Sequence, residues 1–314
     1  MMIAKATLGG YFVRAIICGK YGPPDVLELK EAPKPVPKPD ELLIRVRATT
    51  VTSGDCRIRG FRSPPLFWLP MRLVLGVRRP RNPILGVELA GEVEAVGRNV
   101  KRFKPGDSVF AMTGFKMGAY AEYACVRETG VVAPMPANAS YEEAVALPFG
   151  GTTALHFFRK ASLRAGQKAL VYGASGSVGT SAVLLAKAFG AEVTAVCSGA
   201  NAELVKSLGA DKVVDYTRED FTGTRERYDV VFDAVGRTTK SAGRKVLAKD
   251  GQYITVEGQG VAKELPEDLL LLKDLYESGK IKAVIDRRYP LERMAEAHAY
   301  VDGGRKKGNV VITV

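Results

Sequence analysis

Gly173, Gly176 and Gly179 recur at every third position of Leu170-Val171-Tyr172-Gly173-Ala174-Ser175-Gly176-Ser177-Val178-Gly179. That spacing suits one kind of chemistry, the holding of a pyrophosphate on backbone amides. Gly173 permits a tight turn, Gly176 lets N–H groups approach the anion, and Gly179 lets the following helix pack on the preceding strand. A glycine turn without a ligand is the plainer reading, and the flanking order argues against it. Gln167 to Tyr172 read as a buried strand. Val178, Ala182, Leu185, Ala186 and Phe189 keep helical spacing, and Ala191 to Cys197 read as the next parallel strand.

The elements that must position this turn alternate. Strands are predicted at Val193–Cys197, Lys212–Asp215, Asp229–Phe232 and Gln252–Val256, with helices near Ala202–Leu208, Thr238–Leu247 and Glu267–Ser278, which implies a parallel sheet with right-handed crossovers. The amino-terminal half reads as short strands instead: Arg14–Cys18 after an extension Met1–Val13, then Val26–Leu29, Gly86–Val96, Asp107–Met112 and Ala119–Val126. Glu41–Ala48 sets Leu43, Arg45 and Arg47 against Leu42, Ile44 and Val46, the alternation of a half-buried strand. Residues 60–85 read as a long loop that either covers a site or packs on its own domain. Ser140 with Glu143 forms a capping box for a helix through Leu147. The terminal strand Asn309–Val314 is expected to rejoin the first domain.

A chain of 314 residues favours two domains, and 46% hydrophobic with 25% charged residues is ordinary for a globular protein. Cys18, Cys56, Cys125 and Cys197 are scattered, with only His156 and His298 to join them, which suggests neither a disulfide framework nor a local metal site and fits a cytoplasmic protein. No apolar run reaches a membrane span, so no membrane partner is expected. The net charge of +12 and the seven arginines of residues 57–81, without an acid among them, would make a positive surface if they faced one way. Charge elsewhere is dispersed, and nucleic acid is not the expected primary partner.

The chain resembles the medium-chain dehydrogenase/reductases, specifically their zinc-independent, zeta-crystallin-like quinone oxidoreductases. The resemblance runs from about residue 14 to the end. It is carried by Lys20-Tyr21-Gly22-Pro23-Pro24-Asp25-Val26-Leu27, Pro83-Ile84-Leu85-Gly86-Val87-Glu88-Leu89-Ala90-Gly91, Gly118-Ala119-Tyr120-Ala121-Glu122-Tyr123, Ala146-Leu147-Pro148-Phe149-Gly150-Gly151-Thr152-Thr153-Ala154, the glycine turn, and Ser207-Leu208-Gly209-Ala210-Asp211. It implies an α/β fold: a GroES-like β-rich catalytic domain at 1–134, with 285–314 returning to it, and a Rossmann domain at 135–284. It also implies a cofactor in the cleft between them. Thr153 would sit beside the nicotinamide, residues 173–179 would hold the pyrophosphate, and Val235, Gly236 and Gly258 would line the cleft.

Zinc-dependent relatives carry ligands at three positions where this chain has Thr52, Val87 and Phe149, so no zinc is expected. Oxidising an alcohol calls for a stabilised alkoxide, whereas reducing a conjugated carbonyl leaves charge spread over an oxygen system that hydrogen bonds can stabilise. Reduction of a small apolar quinone or α,β-unsaturated carbonyl is therefore expected. Thr52 and Tyr120 are candidate hydroxyl donors that also suit structural roles, and Asp55 suits a buried partner better than a base. Phe61, Phe67, Trp68, Met112 and Phe115 are candidates for an apolar pocket, some of them equally suited to the core.

Val196-Cys197-Ser198-Gly199-Ala200-Asn201 has no acid after the second strand, so NADPH is expected over NADH, which the residues also admit. Ser198, Asn201 and Tyr216 are the hydrogen-bonding candidates there, with Arg305 to Lys307 as more distant charges. Only Glu257 to Leu265 separate the fifth strand from the next helix, too few for a crossover. The Rossmann sheet is thus expected to stop at its fifth strand. The family's dimer edge strand would be missing, which leaves the oligomeric state open. The competing expectation is a nucleotide-responsive binding protein with little turnover, its arginine-rich loop contacting RNA or an acidic partner.

Overall fold

The computed structural model describes residues 11–62, 68–258 and 261–314. Phe67 lies outside them, as do residues 1–10 of the expected extension and 259–260 of the stretch after the fifth strand.

β1 (Phe12–Cys18) and β2 (Leu27–Pro33) form an antiparallel hairpin, so the first strand starts two residues before its expected place. β3 (Glu41–Thr50) follows, then α1 (Ser53–Arg59), α2 (Trp68–Leu75), β4 (Glu88–Val96), β5 (Ser108–Met112), β6 (Tyr123–Arg127) and β7 (Val132–Pro134). The expected alternation of β3 is absent, because within it Arg45 alone is exposed. The strand pairs with β4 on one edge and with β6 and the terminal strand on the other. Its Leu42, Ile44 and Val46 enter a core with Leu89, Val93 and Val109. Ala48 joins a second core with Phe110, Phe157 and Phe232. Both faces are covered.

α3 (Tyr141–Val145) has the expected capping box, with the Ser140 hydroxyl accepting from the Glu143 amide and the Glu143 carboxylate accepting from the Ser140 amide. It ends before Leu147 because Pro148 opens a new helix, α4 (Pro148–Ala161), at the position where a missing N–H costs nothing.

The parallel units then run β8 (Lys168–Tyr172), α5 (Ser177–Ala188), β9 (Glu192–Cys197), α6 (Ala202–Ser207), β10 (Lys212–Asp215), β11 (Tyr228–Asp233), α7 (Lys240–Lys245) and β12 (Leu247–Thr255). Their sheet order is β10-β9-β8-β11-β12, all parallel, with the order reversing beside β8. No sixth strand follows among the described residues, and the chain passes to α8 (Pro266–Glu277). β13 (Ile285–Pro290), α9 (Met294–Asp302) and β14 (Asn309–Thr313) complete it, and β14 pairs antiparallel with β3. The carboxyl terminus therefore returns to the β-rich sheet.

Candidate active site

The glycine turn sits where the strand order reverses, at the carboxyl end of β8, which is where open α/β sheets bind ligands. Its three glycines have separable roles. Gly173 has a left-handed φ of 76°, and a Cβ there would lie 2.6 Å from Val235 Cγ1. A Cβ on Gly179 would lie 2.1 Å from the Gly173 carbonyl oxygen, so helix and strand are in backbone contact. On Gly176 a Cβ would meet only that carbonyl, at 3.7 Å, which leaves an open face. No side chain caps the amino terminus of α5, so its first amides are free to face an anion. An open glycine face beside uncapped amides fits a pyrophosphate.

The other candidates gather around it. Ser175 Oγ accepts from Asn201 Nδ2 at 3.0 Å. Ala174 is buried, and its amide donates to Val196 O. Val178 packs on the core. The Ser177 hydroxyl donates to Asn309 Oδ1 at 2.6 Å, which leaves its backbone amide as the group that can face an anion. Val235 and Gly236 are held by Asp233, whose Oδ1 accepts from both amides. Gly236 lies against the Glu257 side chain, and Gly258 turns with a φ of 73°. Tyr216 is half exposed, its ring 6.3 Å from that of Tyr172. Ser198 precedes Gly199, which touches the Asp215 carboxylate. That acid comes from β10, a neighbour the β9 pattern alone could not reveal.

Thr153 is nearly buried on α4 and donates to Phe149 O at 2.7 Å. Thr52 caps α1: its amide and hydroxyl donate to Asp55 Oδ2 at 2.9 and 2.6 Å, and Oγ1 accepts from the Asp55 amide. Tyr120 is fully buried with its hydroxyl 3.2 Å from His298 Nε2, whose other ring nitrogen faces Cys56 Sγ. Both hydroxyls are thus committed internally. Asp55 is wholly buried, which pushes its carboxyl up to about 6 against the hydrogen bonds from Thr52.

The three positions of the zinc ligands hold a capping hydroxyl, an aliphatic chain and a phenyl ring, a donor set that does not fit Zn²⁺. Glu88, beside Val87, instead ties β3 and β4 to the start of α4, since its carboxyl group accepts from Thr50 Oγ1 and from the Phe149 amide at 2.7 Å. Burial pushes it up to about 8. Because the folded value lies above the unfolded one, the contribution of Glu88 to stability is complete below the ordinary carboxylate range and is lost as pH rises through about 8. Denaturant midpoints from pH 5 to 9 should fall for the wild type and flatten for Glu88→Gln. An unchanged slope in the variant would remove Glu88 as the cause.

Asn309 was not legible as a site residue. It accepts from Ser177 and donates to the carbonyls of Ala146 and Val284, and the next amide back, that of Gly308, donates to Ser175 O at 2.8 Å. The last strand is thereby latched to the glycine turn. Its only signal in the sequence is a polar residue heading the apolar Val310-Val311-Ile312.

The expected apolar pocket is only partly assembled. Phe61 and Trp68 pair edge to face at 5.9 Å, with the Arg72 guanidinium over both rings. Met112 is buried in β5, whereas Phe115 is 62% exposed on a separate turn. Residues 60–85 are not one long loop, because α2 occupies their middle. Nor do their arginines share one face: Arg59 is fully buried against Asp302, and Arg72 is caged by rings.

A β-rich domain latched to a five-stranded parallel sheet, with an open glycine turn at the switch point, defines a two-domain dehydrogenase/reductase. Residues 38–137 match the alcohol dehydrogenase GroES-like domain family, and residues 177–285 match the zinc-binding dehydrogenase family. The chain belongs to the medium-chain dehydrogenase/reductase superfamily and, within it, to the quinone-oxidoreductase-like members. It is 36% identical to a 2-methylene-furan-3-one reductase of Solanum lycopersicum, over 93% of this chain and 76% of that protein. It is 32% identical to the chloroplastic NADPH-dependent alkenal/one oxidoreductase of Arabidopsis thaliana, over 96% and 79%. The solved quinone oxidoreductase of Coxiella burnetii superposes with a TM-score of 0.82 at 25% identity, covering 97% of this chain and all of that one. Among the described residues no helix is long and apolar enough to cross a membrane.

Proposed function

We propose that this chain is a zinc-free, NADPH-dependent reductase of quinones or α,β-unsaturated carbonyls. The observation that carries the reading is an open glycine turn with uncapped helix amides, together with Thr52, Val87 and Phe149 at the three zinc positions. The names of the relatives, an alkenal/one reductase and quinone oxidoreductases among them, support the same substrate class. We assign the catalytic domain to 1–134 with 285–314, and the cofactor domain to 135–284. Free cysteines support a reducing compartment, the cytoplasm.

When bound, the nicotinamide supplies the hydride. The α5 amides and Gly176 would hold its pyrophosphate, Thr153 would border the ring, and Ser198, Asn201 and Tyr216 would meet the adenosine end. Charge left on the conjugated oxygen needs hydrogen-bond donors. With Thr52 and Tyr120 already engaged in internal hydrogen bonds, solvent would supply the proton. NADPH is favoured because no acid ends β9, and the Asp215 carboxylate is occupied by the amide and hydroxyl of Thr217. Matched kcat/KM measurements with an enone should favour NADPH over NADH by about tenfold or more, the worth of one hydrogen bond to a charged group. Equal values, or a preference for NADH, would overturn the cofactor assignment.

A further inference from the structure

α2 is inside out. Its charged residue, Arg72, turns inward onto Tyr21, Phe61 and Trp68, and Met71 and Leu75 pack beneath it. Leu69, Leu73, Val74 and, just past the helix, Val77 point outward at 59–64% exposure, with Trp68 at 47%. A surface helix ordinarily shows the opposite arrangement. The chain then turns sharply at Gly76, where a Cβ would lie 2.1 Å from Arg79 O, and sets Arg78, Arg79 and Arg81 at the edge of the apolar face. Leu73, Val77 and these arginines border an open concavity of about 470 Å³. Arg78 and Arg79 have no ion pair among the described residues, and no acid occurs from Arg57 to Val87.

We propose that α2 and the 76–81 turn dock on the surface of an anionic phospholipid bilayer. The apolar face would lie in the acyl boundary, and the arginines would meet headgroup phosphates. The pairing of aliphatic side chains with unpaired cations selects this partner. RNA would engage the arginines but gain nothing from Leu69, Leu73 and Val74, since single strands are bound by stacking on aromatic rings. To a second copy, a helix of eight residues offers far less than the ~800 Å² per partner of a stable dimer. The absence of a spanning helix does not bear on such surface binding.

Trp68 is the only tryptophan, so its emission reports on this face alone. The full chain would be mixed with sucrose-loaded vesicles of phosphatidylcholine, with and without phosphatidylglycerol, at low salt. Co-sedimentation with the anionic vesicles and a blue shift of emission are expected. Arg78→Gln with Arg79→Gln should weaken binding about 25-fold, some fivefold per arginine. Leu73→Glu should abolish the blue shift and cut binding at least as far, with NADPH oxidation unchanged as the control for folding. Failure to sediment with anionic vesicles would overturn the proposal. So would unchanged binding by Leu73→Glu, which would mark mere adsorption of a basic protein, or tighter binding to a single-stranded RNA that displaces the vesicles.

Discussion

Gly179→Ala should weaken NADPH binding by about 100-fold. The new methyl would stand 2.1 Å from the Gly173 carbonyl oxygen and 2.7 Å from the Ala174 Cα, and neither is the end of a flexible side chain. The turn must move away from α5, taking with it the amides that face the pyrophosphate. Losing two hydrogen bonds to a charged group costs about 3 kcal/mol or more, which weakens NADPH binding by about 100-fold. NADPH at about ten times the wild-type Kd should raise the Tm of the wild type and leave that of the variant nearly unmoved. Gly176→Ala makes the test sharper. Its methyl meets protein only at 3.7 Å, so the fold is undisturbed, and lost affinity there reports the approach of the ligand itself. Normal binding by both variants would dismiss the cradle.

Asp302→Ala should unfold the protein at much lower denaturant. Arg59 is fully buried, donating through Nε to Gly22 O at 3.2 Å and through Nη2 to Asp302. Removing the carboxylate strands a guanidinium between α1 and α9, and breaking such a pair from one side costs about 3–5 kcal/mol. Replacing both partners by leucine should cost less, because no buried charge is then left without a partner; Arg62, which also reaches Asp302, is exposed. Urea denaturation of the single and double variants measures the difference. A single-variant loss below ~1 kcal/mol, the range of an exposed pair, would contradict the assignment.

The parallel half of the fold was legible because its signals are local: β10 and the glycine turn lie where the spacing puts them, and the short 257–265 stretch foretold the end of the sheet at β12. What was illegible depends on partners distant in the chain. The alternation of β3 vanishes because three strands and two cores enclose it. The arginines of 57–81 read as one basic surface, yet Arg59 finds Asp302 some 240 residues away and Arg72 finds three rings. Glu88 and Asn309 acquire their latching roles only when segments distant in the chain meet. α2 was hidden by its inverted pattern, since an apolar face turned to solvent gives no sign of which way the helix lies.

Hydride transfer to a conjugated acceptor without metal is measured most directly as NADPH consumption by protein exhaustively dialysed against a chelator. An ortho-quinone and a medium-chain enone would serve as separate acceptors, with the metal content of the same sample determined. Full turnover of at least one acceptor is expected at negligible zinc, unchanged when zinc is added back. Activity lost on chelation and restored by zinc would contradict metal-free transfer, as would NADPH that binds but is oxidised with neither acceptor.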